Sequence, residues 1–167
     1  MKRPEPAPKS EELKISAVEL NILIKSTIMA LQHANQTGNY SVLRDLGTPV
    51  FRERLDQARL TATFANLRSR GINLAPVLVL TPNLAKQPEL TAQNELHLIG
   101  NFPTEPLQVK FEFWFVRIDG VWRIQGIMVD AAPPQPTPGV AHTTGKIVAP
   151  AAHKAPAANA KVGKKAP

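Results

Sequence analysis

Between Leu107 and Phe115 every second residue is a large hydrophobe: Leu107, Val109, Phe111, Phe113 and Phe115 alternate with Gln108, Lys110, Glu112 and Trp114. A period of two sustained over that length makes a strand with one face in a core and the other out of it. Leu96, Leu98, Gly100 and Phe102 repeat the pattern upstream, against Glu95, His97, Ile99 and Asn101. Asp119-Gly120 is a two-residue hairpin signal and returns the chain into Val121–Val129. A short apolar run at Val77–Leu80 reads as one more strand. Strands joined by hairpins pair antiparallel, and a sheet with one apolar face needs a cover.

The first half of the chain supplies that cover. Ser16-Ala17-Val18-Glu19 has capping-box spacing, and behind it Leu20, Ile24, Ile28 and Leu31 recur on one helical face. Val18, Ile22 and Met29 form a second stripe, which predicts a helix lying between two layers. Gly38-Asn39 is the stop signal. A short helix is predicted over Ser41 to Leu46. Thr48-Pro49 then opens a helix carrying Phe51, Leu55, Ala58, Ala62 and Ala65, with Gly71 at its end. Helices first and an antiparallel sheet second define an α+β fold, the helices covering the apolar face of the sheet.

The formal net charge of +7 does not belong to this unit. Residues 15–132 carry a net charge of +1, whereas residues 133–167 hold Lys146, Lys154, Lys161, Lys164 and Lys165 and no acid. That C-terminal stretch has seven prolines, nine alanines, no aromatic residue and no Leu, too little apolar surface to offset the entropy of ordering it. It is predicted to be a disordered Ala/Pro/Lys tail, and residues 1–14 a disordered Pro-rich arm. The domain is assigned to residues 15–132. Five dispersed lysines predict weak, salt-dependent contact with polyanions, and the domain loses the charge support for nucleic-acid binding. Among the helices, Arg44, Arg52, Arg54, Arg59, Arg68 and Arg70 do not share one face and read as a solvated surface. The absence of cysteine excludes disulfides, thiolate nucleophiles and Cys-type zinc sites. No apolar run approaches a membrane span. The expected location is outside the cytoplasm, behind a leader or anchor that a Pro-rich spacer would follow, with the cytoplasm as the alternative.

The order of helices followed by long strands, meeting in Phe115-Val116-Arg117-Ile118-Asp119-Gly120-Val121-Trp122-Arg123-Ile124, resembles the nuclear transport factor 2-like (SnoaL-like, cystatin-like cone) superfamily over about residues 16–132. The resemblance implies a sheet curved around the first helix, enclosing a conical pocket. Members include isomerases, dehydratases, cyclases and non-catalytic binders, so it implies a fold and no single activity. Relatives commonly dimerise through the outer face of the sheet.

Catalytic members of that superfamily place an acid, a Tyr or a His on the inward face. Here the inward series is apolar, and the expected ligand-binding residues are Leu96, Leu98, Val109, Phe111, Phe113 and Trp122. No catalytic residue is assigned, and Asp130 and Tyr40 are the weak candidates. Asp130 falls in phase with Trp122, Ile124 and Met128, and Tyr40 follows the first helix near the rim. His97 with Glu95 and Glu112 reads as outer-surface polarity, with a small acid–base or metal cluster as the alternative. His33 reads as helix surface, and His142 and His153 fall in the tail. Neither a cofactor nor a metal is expected. Ile99, Trp114, Val116 and Ile127 stand among His97, Lys110, Glu112, Arg123 and Gln125 on the outward series. A mixed patch of that kind predicts a homodimer interface. The expected function is a non-enzymatic binding or assembly domain with an apolar pocket, for a small hydrophobic ligand or a partner protein. The alternative is an isomerase- or dehydratase-type enzyme using the same pocket.

Overall fold

A computed structural model describes residue 13 and residues 15–134; the remainder of the Pro-rich arm and of the Ala/Pro/Lys tail lies outside the described residues. Helix α1 (Ala17–Thr37) begins at the capping box: Ser16 Oγ accepts from the Glu19 N–H at 3.1 Å, and Glu19 Oε2 accepts from the Ser16 N–H at 2.8 Å. Those two bonds, the backbone one first, hold the Glu19 carboxyl below its ordinary range. Gly38 ends the helix in the left-handed region at φ 74°. Ile24, Ile28, Leu31 and Ala34 are buried on one face. The second stripe is divided: Met29 packs against the core, whereas Val18 and Ile22 are exposed, so among the described residues no second layer covers the start of α1.

The helical region that follows is more broken than its periodicity predicts. After α2 (Ser41–Asp45) the single expected helix is three: α3 (Pro49–Arg54), α4 (Gln57–Thr63) and α5 (Ala65–Ser69). Leu55 leaves helical geometry at φ −124°, ψ 86°, and Asp56 caps the next segment by accepting from the Arg59 N–H at 2.8 Å. An Asp able to satisfy a backbone N–H competes with helix continuation at that point. The predicted strand at Val77–Leu80 is instead a 3-10 helix, Ala75–Leu78. Pro76 has no N–H for a ladder, and Asn73 Oδ1 accepts from the Ala75 N–H, which starts a turn.

The sheet contains β1 (Asn83–Leu84), β2 (Glu89–Leu90), β3 (Leu96–Phe102), β4 (Gln108–Ile118) and β5 (Val121–Ala132). All pairings are antiparallel; the order is β1-β3-β4-β5, and β2 also pairs with β3. Burial alternates strictly along β3 and down β4 as far as Val116. Leu96, Leu98, Phe102, Val109, Phe111, Phe113 and Phe115 form the inner face and share one core with α1 and the shorter helices. Each fully buried side chain of this size stabilises the fold by about 1.5–3 kcal/mol relative to exposure.

One irregularity decides what the outer face displays. Trp114 pairs with Gly126 but Phe115 pairs with Ile124, so Gln125 is an extra residue in β5. The bulge is stitched to the helical layer. Thr48 N–H donates to Ile124 O, Ile124 N–H donates to Leu46 O, and Thr48 Oγ donates to Gln125 Oε1 at 2.6 Å. An extra residue reverses the facing of everything beyond it. Ile124 and Ile127, three residues apart, are therefore both buried. Ile127 was expected outside and lies inside. Met128 and Asp130, expected in phase with Ile124, share the rows of Glu112 and Lys110 on the opposite face.

Candidate groove on the outer rows of the sheet

The outward residues of β3, β4 and β5 line up in cross-strand rows. Glu89, His97, Trp114 and Gly126 form one; Ile99, Glu112 and Met128 the next; Asn101, Lys110 and Asp130 the third. Ala85, whose N–H donates to Ile99 O at 2.8 Å, extends the second row.

Trp114 sets the first row. A Cβ at Gly126 would lie 2.8 Å from Trp114 Cε3, so only glycine lets the indole lie across β5. His97 stacks on that indole, with centroids 5.0 Å apart and planes 9° from parallel. His97 Nε2 sits 2.8 Å from Glu112 Oε1, and Nδ1 sits 3.9 Å from Glu89 Oε1. The cluster weighed at His97 thus exists, but its second acid is Glu89; Glu95, although it precedes β3, takes no part in these contacts. Both ring nitrogens face carboxylates, an arrangement that clamps β2, β3 and β4 together. Among the described residues no group of three or more His, Asp or Glu is placed to hold a metal ion.

The second and third rows line a cavity of about 660 Å3. Its lining comprises Ala85, Ile99, Glu112 and Met128, then Asn101, Lys110 and Asp130, and it also reaches Gly100, Phe111, Ile127 and Val129 of the core-facing rows. Thr63 and Phe64, at the end of α4, complete it. Met128 is 59% exposed. Of the three charges, two already have partners. Glu112 holds His97. Asp130 accepts from the Ala131 N–H at 2.8 Å and lies 3.9 Å from Arg70, which also donates to Ala131 O. Lys110 is half-buried and makes no ion pair or side-chain hydrogen bond among the described residues.

Of the expected ligand-binding residues, Phe111 lines this cavity, whereas Leu96, Leu98, Val109 and Phe113 are sealed in the core at no more than 2% exposure. Trp122 is half-buried against that core, with the Arg117 guanidinium 5.7 Å from its ring centre. Of the expected interface residues, Ile99, Trp114 and Val116 are half-buried on the outward series, and Ile127 is the one that the bulge moves inside. Tyr40 is fully buried and stacks on Phe64, and its hydroxyl donates to Asn35 Oδ1 at 2.6 Å. Desolvation raises that phenol above its ordinary range. Tyr40 and Asp130 therefore engage different neighbours. Sequence reasoning missed Glu89, Arg70 and Met128 as participants. A glycine isolated within a strand pattern, Gly126, was the available signal for the bulge that exposes Met128.

No family model, curated protein or solved structure matches the chain. No helix among the described residues is long and apolar enough to cross a membrane. Fold and site together define an α+β domain with a lined groove over its sheet.

Proposed function

We propose that this is a non-enzymatic binding domain, built on the plan of the nuclear transport factor 2-like cones, whose sheet groove receives a small ligand with an apolar body. The carrying observation is the cavity of about 660 Å3 lined by Ile99, Phe111, Met128 and Val129. Its volume falls within the ~300–1,000 Å3 of small-molecule sites, and an apolar lining with few polar groups is their usual composition. A binding reading is favoured over a catalytic one because the groove's lining is mainly apolar and its Glu112 is already bonded to His97 at 2.8 Å. The test is titration with Nile red, an uncharged apolar dye. Saturable one-to-one fluorescence enhancement is expected, weakened about tenfold by Met128→Glu, which places a charge in the groove. No saturable binding at high micromolar dye would contradict the reading.

The same face supports self-association as a second reading, because half-buried Ile99, Trp114 and Val116 adjoin exposed Met128. Aromatic anchors dominate interface energetics, with truncation costing ~2 kcal/mol or more. Trp114→Ala protein should run smaller than wild type in sizing with light scattering; a wild type already monomeric at high micromolar concentration removes this reading.

A further inference from the structure

Resting on the groove as a binding site, we infer that its ligand is an amphipathic monocarboxylate whose anionic head is held by Lys110. Lys110 lies on the central strand β4, between Asn101 of β3 and Asp130 of β5, and it lines the cavity. A half-buried ammonium loses hydration and is stabilised by a counter-charge. The two carboxylates that line the cavity have other partners: Glu112 is bonded to His97 at 2.8 Å, and Asp130 accepts from the Ala131 N–H and lies 3.9 Å from Arg70. Lys110 is thus the cation of the cavity lining, without a partner among the described residues, in a groove that also presents Ile99 and Met128. A carboxylate on an aliphatic body meets both features at once. Asn101, paired with Lys110 across the strands, accepts from Asn83 at its Oδ1 and has its amide N–H groups left for the same head. The site discriminates by charge, since an uncharged molecule of the same shape leaves the ammonium unpaired.

The experiment compares decanoate with decanol by calorimetry on wild type, Lys110→Gln, Lys110→Arg and Asp130→Asn. Decanoate should bind the wild type about tenfold or more tightly than decanol, as a charge-assisted hydrogen bond implies. The preference should vanish in Lys110→Gln, persist in Lys110→Arg and shrink with added salt. Asp130→Asn, which removes a like charge from the groove, should strengthen decanoate and leave decanol unchanged. Equal binding of the two probes overturns the charge inference and leaves the groove standing. A preference retained in Lys110→Gln also overturns it, by placing the cation elsewhere. Failure of both probes to bind, together with Nile red, removes the groove itself.

Discussion

The two faces of one sheet follow opposite rules. On the inner face Leu98, Phe111, Phe113 and Phe115 lie at 2% exposure or less, and neighbouring rings touch, with Phe111 and Phe113 5.2 Å apart and Phe113 and Phe115 5.8 Å apart. On the outer face the residues one position away, Lys110, Glu112 and Trp114, are half-buried and hold polar or stacking partners, or none. The inner face carries the hydrophobic stabilisation and leaves no polar group to recognise anything. The outer face contributes less to folding and carries the charge and amphipathic character of the strands, apart from Arg117, which lies over Trp122. Core packing and the display of polar side chains are thus separated by a single step along the chain, which is why the position of one bulge matters so much.

Substitutions that respect or violate this division should differ in size. Phe113→Ala empties the centre of the inner face and should cost about 3–5 kcal/mol in urea unfolding; a loss below ~1 kcal/mol would mean that the inner face is not tightly packed. Gly126→Ala drives a methyl into the Trp114 indole and should cost about 1–3 kcal/mol. It should also displace His97 from its stack, visible as a changed His97 ring-proton shift; an unmoved shift would separate the indole from the clamp. Met128→Ala, on the outer face beyond the bulge, should change stability by no more than ~0.5 kcal/mol while weakening apolar ligands. If Met128→Ala instead destabilises the fold as a core truncation does, the register beyond Gln125 is not the one described here.

The inner face was legible from sequence because β4 repeats its pattern without interruption and Asp119-Gly120 marks the turn. The outer face was legible only as far as Gln125. Nothing in Val121–Val129 except the lone Gly126 indicates that an extra residue enters the strand, and a constant period put Met128 and Asp130 inside and Ile127 outside. The breaks in the helices had local signals, Asp56 as a cap and Pro76 as a strand breaker, that apolar spacing alone overrides. The His97 clamp needed pairings that no local pattern specifies: Glu89 reaches it by the register of β2 on β3, and Glu112 from the neighbouring row of β4. The groove has the same origin, since its rows assemble residues from four separate segments of the chain.

The central claim is that recognition belongs to the groove lined by Ile99, Lys110 and Met128, reaching Phe111 and Val129, while Leu96 and Leu98 stay closed in the core. Methyl-resolved NMR of the protein labelled at Ile, Leu and Met, titrated with Nile red, tests it directly. The expected result is progressive, saturable shifts of the Ile99 and Met128 methyls with those of Leu96 and Leu98 unmoved. Shifts at Leu96 and Leu98 with Ile99 and Met128 silent would place the ligand inside the core and contradict the account.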